Sequence, residues 1–188
     1  MGYAVIVEIG LSILALSPGY DEASGLPLLG SFFTLLLPRG LALAVWAIAL
    51  TVIQGQVKDL RFRQVQGIAQ RMPVATCALL LAHFSLAGFP ILAGFPARLA
   101  LWDGLARSSQ LAAATALLGA AGLLVAGLRT LAVLVVTRSN EPLQFLESRG
   151  QQALLALGGL GLFLIGLFPM WVLPLLKNLG NTYTHLKP

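Results

Sequence analysis

The sequence predicts an all-α, polytopic membrane protein with about six transmembrane helices, one of them discontinuous. Hydrophobic residues make up 57% of its 188 residues and charged residues only 10%, and the mean hydropathy is +0.86. Soluble domains carry about 25% charged residues, so the composition excludes a soluble fold. We expect a single membrane domain over residues 1–188.

The front of the chain predicts two spanning helices separated by a turn and a short apolar segment. The first helix covers residues 2–17 and contains Glu8. Residues 18–25 are rich in proline, glycine and aspartate, which is typical of a turn. Residues 26–37 are apolar but end at a proline, so we expect a half-helix or interfacial segment there. The second spanning helix is expected over residues 39–54.

The middle of the chain predicts a polar loop and then two helices. Residues 55–72 form the longest polar stretch and carry four basic residues against one aspartate. A third helix is expected over residues 73–87, because Pro73 suits the first turn of a helix. The fourth helix, over residues 88–106, should be interrupted by Pro96.

The last part of the chain predicts two more helices. The fifth is expected over residues 111–136 with Arg129 inside it, and the sixth over residues 152–176. Between them, residues 139–151 form a polar loop. Both helices are rich in glycine and alanine, and small residues let membrane helices pack closely.

The segment Ser85–Arg98 is the most informative part of the chain. It places two prolines, two glycines and an arginine inside an apolar run. An arginine at the bilayer centre costs about 2.5–3.5 kcal/mol on insertion scales. A broken helix survives at that depth only inside protein or beside a wet cavity, and ion transporters use such breaks. The residues expected to break the helix are Gly88, Pro90, Gly94 and Pro96.

Four segments of the sequence carry a resemblance to a known family. Residues 85–98 share seven positions with a family signature, and residues 67–73 (Gly-Ile-Ala-Gln-Arg-Met-Pro) match an element that precedes it. Leu128-Arg129 and Glu8-Ile-Gly10 match flanking elements in the same order. The chain thus resembles the C-terminal half of the antiporter-like subunits of respiratory complex I and Mrp-type antiporters, and most of all the N-type subunit. The identical signature positions are Ser85, Leu86, Ala87, Gly88, Pro90, Gly94 and Phe95.

The chain also departs from the family pattern. Family members have about fourteen spanning helices, whereas this chain has room for about six. Ile91 replaces the second signature proline, Ala97 replaces a glycine, and Arg98 replaces the lysine. An arginine stays protonated, which argues against a family-type proton relay through Arg98 itself, although its charge can still act on nearby groups.

The resemblance makes four charged or titratable residues candidates for a proton path. They are Arg98, His83, Glu8 and Arg129. Each also has a structural interpretation. Arg98 and Arg129 could pair with a carboxylate or a backbone carbonyl, His83 could be a neutral hydrogen-bonding residue, and Glu8 could be solvated near a helix end. We favour the solvated interpretation for Glu8.

The first functional hypothesis is a membrane-arm subunit of a complex I-type assembly that contributes to proton translocation. The alternative is a truncated, non-conducting chain that serves as a scaffold or accessory subunit of another membrane complex. A third option is a small membrane protein whose resemblance is accidental. The first hypothesis implies other membrane subunits as partners, including a chain that supplies the missing N-terminal half, together with lipids.

No catalytic, cofactor-binding or metal-binding residue is expected in this chain. It contains no nicotinamide, flavin or iron–sulfur motif, and Cys77, His83 and His185 are too few and too scattered for a metal centre. It should therefore not be catalytic alone, and any redox chemistry belongs to other subunits. Basic residues do not cluster with aromatic ones, which argues against nucleic acid as a partner.

The resemblance implies an integral protein of an energy-coupling membrane, either a bacterial plasma membrane or a thylakoid. Orientation is ambiguous. The basic loop at residues 55–72 favours the cytoplasmic side. The family resemblance implies the opposite side for this loop, and we give the family placement slightly more weight.

Overall fold

The computed structural model describes residues 2–16, 29–57, 61, 65–136 and 146–171. Within these ranges the chain forms six α-helices, a short 3-10 turn at Ile68–Gln70 and no strand. The all-α prediction is therefore confirmed. The turn expected at residues 18–25, and most of the loop expected at residues 139–151, lie outside the described residues. The helices are α1 (Gly2–Leu16), α2 (Leu29–Gln54), α3 (Pro73–Ala87), α4 (Gly94–Ser108), α5 (Gln110–Val135) and α6 (Arg149–Leu167).

Three of the described helices are long and apolar enough to cross a membrane. They are Thr34–Gln54 within α2, Gln110–Val135 and Arg149–Leu167, while α1 and α3 are apolar but shorter. The protein is therefore an integral, multi-pass membrane protein. Helix α4 is not in this group, because its 15 residues include three charged side chains, Arg98, Asp103 and Arg107.

The half-helix expected before the second spanning helix is not separate from it. Helix α2 runs without a break from Leu29 to Gln54 and contains Pro38. A proline removes one backbone donor, but lipid offers no water to satisfy exposed carbonyls, so the chain stays helical on both sides of it. The prediction of two segments was therefore wrong.

The discontinuity lies between α3 and α4 rather than inside the fourth helix. Gly88 ends α3 in the left-handed conformation with φ 79°, and the Phe89 amide donates to the Phe84 carbonyl at 2.9 Å, a common glycine-based helix ending. Pro96 is the third residue of α4, where a backbone donor is not needed for the helix. The expectation that Pro96 interrupts the helix was therefore wrong.

Helices α3 and α4 together make one discontinuous crossing. The start of α3 lies beside the end of α5, since the Gly67 amide donates to the Val133 carbonyl at 3.2 Å. Ser109 alone joins α4 to α5, which runs back over 26 residues. Both α3 and α4 pack against α5, so the two short helices together run antiparallel to it. The predicted discontinuous helix is confirmed, with a different break point.

The core has two parts. The larger one surrounds α3, which packs against α2, α5 and α6. The smaller one joins α1, α2, α4 and α5 through Leu11, Leu35, Leu101 and Ala116. This smaller cluster surrounds the charged residues described below.

A buried carboxylate fastens α6 to the start of α3. Oε1 of Glu147 accepts a hydrogen bond from the Ala75 amide at 2.7 Å, and the Leu146 amide donates to the Arg71 carbonyl at 3.2 Å. The first turn of a helix has unpaired amides and attracts negative charge, so Glu147 caps α3 from outside its own sequence.

Candidate functional site

A buried ion pair links α1 to α4 just after the helix break. Nη2 of Arg98 donates to Oε1 of Glu8, and the two residues are 1% and 2% exposed. Glu8 lies midway along α1 on the face turned to α4, whereas large apolar side chains occupy the outer face. The expectation that Glu8 is solvated near a helix end was therefore wrong. The outward side chains of α1 include Tyr3, Ile6, Ile9 and Ile13.

Arg39 of α2 is a third member of this site. Its Nε lies 3.3 Å from Oε2 of Glu8, and its Nη1 donates to Oγ of Ser12 at 2.6 Å. The Ser12 hydroxyl in turn donates to the Glu8 carbonyl at 2.7 Å. The sequence analysis missed Arg39 as a site residue. The available signal was an arginine directly after Pro38 in an otherwise apolar stretch, at a depth where charge is costly.

Glycines at the break allow the backbone to approach Arg98 closely. A Cβ on Gly88 would lie 2.8 Å from Cδ of Arg98 and 3.0 Å from the ring of Trp102. A Cβ on Gly94 would overlap the carbonyl oxygen of Ser85, and the Gly94 amide donates to the Ser85 hydroxyl at 3.1 Å. These glycines therefore hold the end of α3 and the start of α4 together and position Arg98.

Ile91 explains one departure from the family signature. It is the only described non-glycine residue with positive φ, at 74°, whereas proline is fixed near −65°. A proline at this position is therefore incompatible with the observed loop. A β-branched residue at positive φ is strained.

We expect Ile91→Gly to raise the free energy of unfolding by about 1 kcal/mol, because it removes this strain from an exposed side chain. Ile91→Pro should lower it, because the loop must change its conformation. Denaturant titration in mixed micelles measures both. A proline variant as stable as the wild type would show that the positive φ is not required.

Several donors around the ion pair lack partners within the described chain. Nε and Nη1 of Arg98 and Nε1 of Trp102 are buried and make no hydrogen bond to any described residue. A buried donor without a partner costs about 1–3 kcal/mol. The ion pair is therefore incompletely satisfied in this arrangement, and a shift that supplies acceptors to Arg98 would be favourable.

His83 belongs to a different set of contacts. Its Nε2 lies 2.9 Å from the Leu123 carbonyl of α5, and its ring centroid lies 4.8 Å from that of Trp46. Arg129 is exposed on α5, six residues before the helix ends. Of the four candidates, the structure therefore pairs Glu8 with Arg98, while His83 makes its hydrogen bond and ring contacts elsewhere.

The fold and site define a polytopic membrane protein with a buried ion pair beside a broken helix. Residues 1–123 match the family model described as NADH:quinone oxidoreductase/Mrp antiporter, transmembrane region. The chain belongs to this family, and the accidental-resemblance option is therefore wrong. Nothing in this match distinguishes the N-type subunit from the others.

A solved structure has a similar fold. A chain of respiratory complex I from Thermus thermophilus, in the structure with bound aureothin, matches with a TM-score of 0.57 and 23% sequence identity. The match covers 92% of this chain and 43% of that one, so this chain spans less than half of the relative's length. No match was found among curated proteins.

Proposed function

We propose that this chain is a membrane-arm subunit of a complex I-type assembly and contributes to proton translocation. The observation that carries the proposal is the buried Glu8–Arg98 pair, next to the break between α3 and α4, with Arg39 on the other carboxylate oxygen. Charge at membrane depth is expensive, and transporters place it at broken helices.

Arginine at position 98 changes which group would carry the proton. A guanidinium stays charged, whereas a carboxylate can take up and release a proton. Glu8 is therefore the proposed proton carrier of this site, and Arg98 and Arg39 are the fixed charges that act on it. Protonation of Glu8 would remove the carboxylate's charge and weaken both ion pairs, which couples proton uptake to movement of α1 against α4.

The proposal requires partners. The residues of this chain match 43% of a complex I chain, and we propose that helices equivalent to the other part of that chain, supplied by another chain as the family resemblance implies, complete the unit. Redox chemistry would belong to further subunits, and the assembly would lie in an energy-coupling membrane, a bacterial plasma membrane or a thylakoid. The protein would not be active alone.

The first experiment is purification of the native protein in mild detergent, followed by mass spectrometry of the proteins that accompany it. We expect complex I-type or Mrp-type membrane subunits, including an antiporter-like chain with the missing half. A set of partners without any antiporter-like chain would contradict the proposal.

Proton transport by the purified assembly in liposomes tests the role of the ion pair. We expect Glu8→Gln to reduce transport at least tenfold with the assembly intact, because the amide cannot exchange a proton. Arg107→Gln is the matched control, since it removes a charge from an exposed pair on α4 and should leave transport unchanged.

A scaffold function is the second candidate. The burial of Arg98 and the replacement of lysine by arginine favour it, because a permanently charged pair can act as a fixed link between α1 and α4. In that case Glu8→Gln would weaken assembly and leave the transport per assembled complex unchanged.

A further inference from the structure

A cavity of about 740 Å³ lies between α1, α2, α3 and α5, and neither Glu8 nor Arg98 lines it. This volume is within the range of small-molecule sites. Most of its wall is aliphatic, with Leu50 from α2 and Leu123 and Leu134 from α5. Trp46 and His83 add an aromatic surface to the wall.

His83 presents one hydrogen-bonding atom to this cavity. A carbonyl oxygen can only accept, so the 2.9 Å contact with the Leu123 carbonyl assigns the proton of the neutral ring to Nε2. The other nitrogen, Nδ1, is then an acceptor. Within the described chain Nδ1 makes no hydrogen bond, while the ring lines the cavity.

Gly127 fixes the orientation of the ring. A Cβ at this position would lie 2.9 Å from Cδ2 and 3.3 Å from Nε2 of His83. The edge formed by Cδ2 and Nε2 is therefore pressed against α5, and Nδ1 lies on the opposite side of the ring. Trp46 stands beside it, with the two rings inclined at 52°.

The polar groups of the cavity lie mainly at one end. Thr51 and Gln54 are in the last turn of α2, Tyr3 is at the start of α1, and Thr130 is near the end of α5. His83 lies ten residues into α3, a depth of about 15 Å along the helix. A ligand that reaches it must be soluble in the membrane interior and must carry a donor for Nδ1.

We propose that this cavity binds a lipophilic phenol, whose ring packs against Trp46 and whose hydroxyl donates to Nδ1 of His83. A phenol matches both features, because its flat ring suits an aromatic and aliphatic wall and its hydroxyl is a good donor. This site does not depend on the proposed transport function, since none of the contacts involves Glu8 or Arg98.

The test compares two ligands that differ only in the donor. The purified full chain in nanodiscs is titrated with 4-butylphenol and, separately, with its methyl ether, 4-butylanisole. Binding is followed by the fluorescence of Trp46, in a variant in which Trp102 and Trp171 are replaced by phenylalanine. We expect saturable binding and a threefold to tenfold preference for the phenol, about the effect of one net hydrogen bond.

Variants separate the hydrogen bond from the cavity. His83→Phe keeps a ring and should bind both ligands equally, whereas Leu160→Phe on the outer face of α6 should keep the preference. Ala126→Leu should block both ligands, because Ala126 lines the cavity, and it gives a second test if His83→Phe does not fold. Equal affinities in the wild type, a preference that persists in His83→Phe, or unsaturable binding would overturn the proposal.

Discussion

Glu8→Leu is expected to lower the free energy of unfolding by about 3–5 kcal/mol, the largest effect of any single substitution considered for this chain. The substitution removes the carboxylate that faces both Arg98 and Arg39. The side chain of Arg98 is only 2% exposed, so water cannot replace the lost partner. Reversible unfolding in mixed micelles, followed by helical circular dichroism, measures the change.

Three further variants make this result specific. Arg98→Met should lower the free energy of unfolding less than Glu8→Leu does, because Glu8 keeps its contact with Arg39. The double variant Glu8→Leu/Arg98→Met should be more stable than Glu8→Leu alone, since no unpaired Arg98 remains. Asp103→Asn is the exposed control. Its pair with Arg107 spans 3.0 Å but is more than half exposed, so the change should stay within about 0.5 kcal/mol.

If Glu8→Leu and Asp103→Asn lower the free energy of unfolding by similar amounts, the buried pair contributes no more to stability than the exposed pair, which would contradict this prediction. A double variant Glu8→Leu/Arg98→Met that is less stable than Glu8→Leu would also contradict it, because the effects of the two substitutions would then add as they do for residues that do not interact.

Gly94→Ala is expected to have the next largest effect, a loss of about 1–3 kcal/mol or more. The added Cβ would overlap the Ser85 carbonyl oxygen, and backbone cannot move aside as the end of a flexible side chain can. Relief requires the end of α3 to move away from the start of α4. That movement would also displace Arg98, four residues further along α4, from Glu8.

Gly122→Ala on α5 is the matched control for Gly94→Ala. No atom lies within 4 Å of its added Cβ, and alanine is the better helix former by about 0.5–1 kcal/mol. We therefore expect this variant to be as stable as the wild type or slightly more stable. If both alanine variants behave alike in the same unfolding measurement, the close approach of Gly94 to Ser85 is not a constraint on the fold.

The transport and scaffold hypotheses make different demands on the ion pair. A carrier must release the Glu8–Arg98 contact reversibly, and the unsatisfied donors on Arg98 would favour such a rearrangement. A scaffold needs a contact that does not open. Measuring the assembly and the proton transport of Glu8→Gln in the same preparation therefore separates the two hypotheses, because a carrier loses transport in the intact assembly and a scaffold loses assembly.

Much of the fold could be predicted from residue order alone. The expected third helix coincides with α3 at Pro73–Ala87, because a proline at the first position and a glycine after the last residue are local signals. The family signature at residues 85–98 contains the break. The exact break point was missed, because the sequence shows two prolines and only the backbone path decides which one falls in a first helical turn.

The sequence by itself determined a helical membrane protein of the antiporter-like family with a charged residue at a broken helix, because composition, apolar run length and motif order are properties of the chain alone. Only the tertiary structure decided how the charges are arranged. Glu8 and Arg98 are 90 residues apart, and Arg39 joins them from a third helix. Helical periodicity predicts which face of its helix a side chain occupies, but it does not predict which other helix packs against that face. The partners of a buried charge are therefore fixed by packing, where the cost of leaving the charge unpaired selects among the possible arrangements.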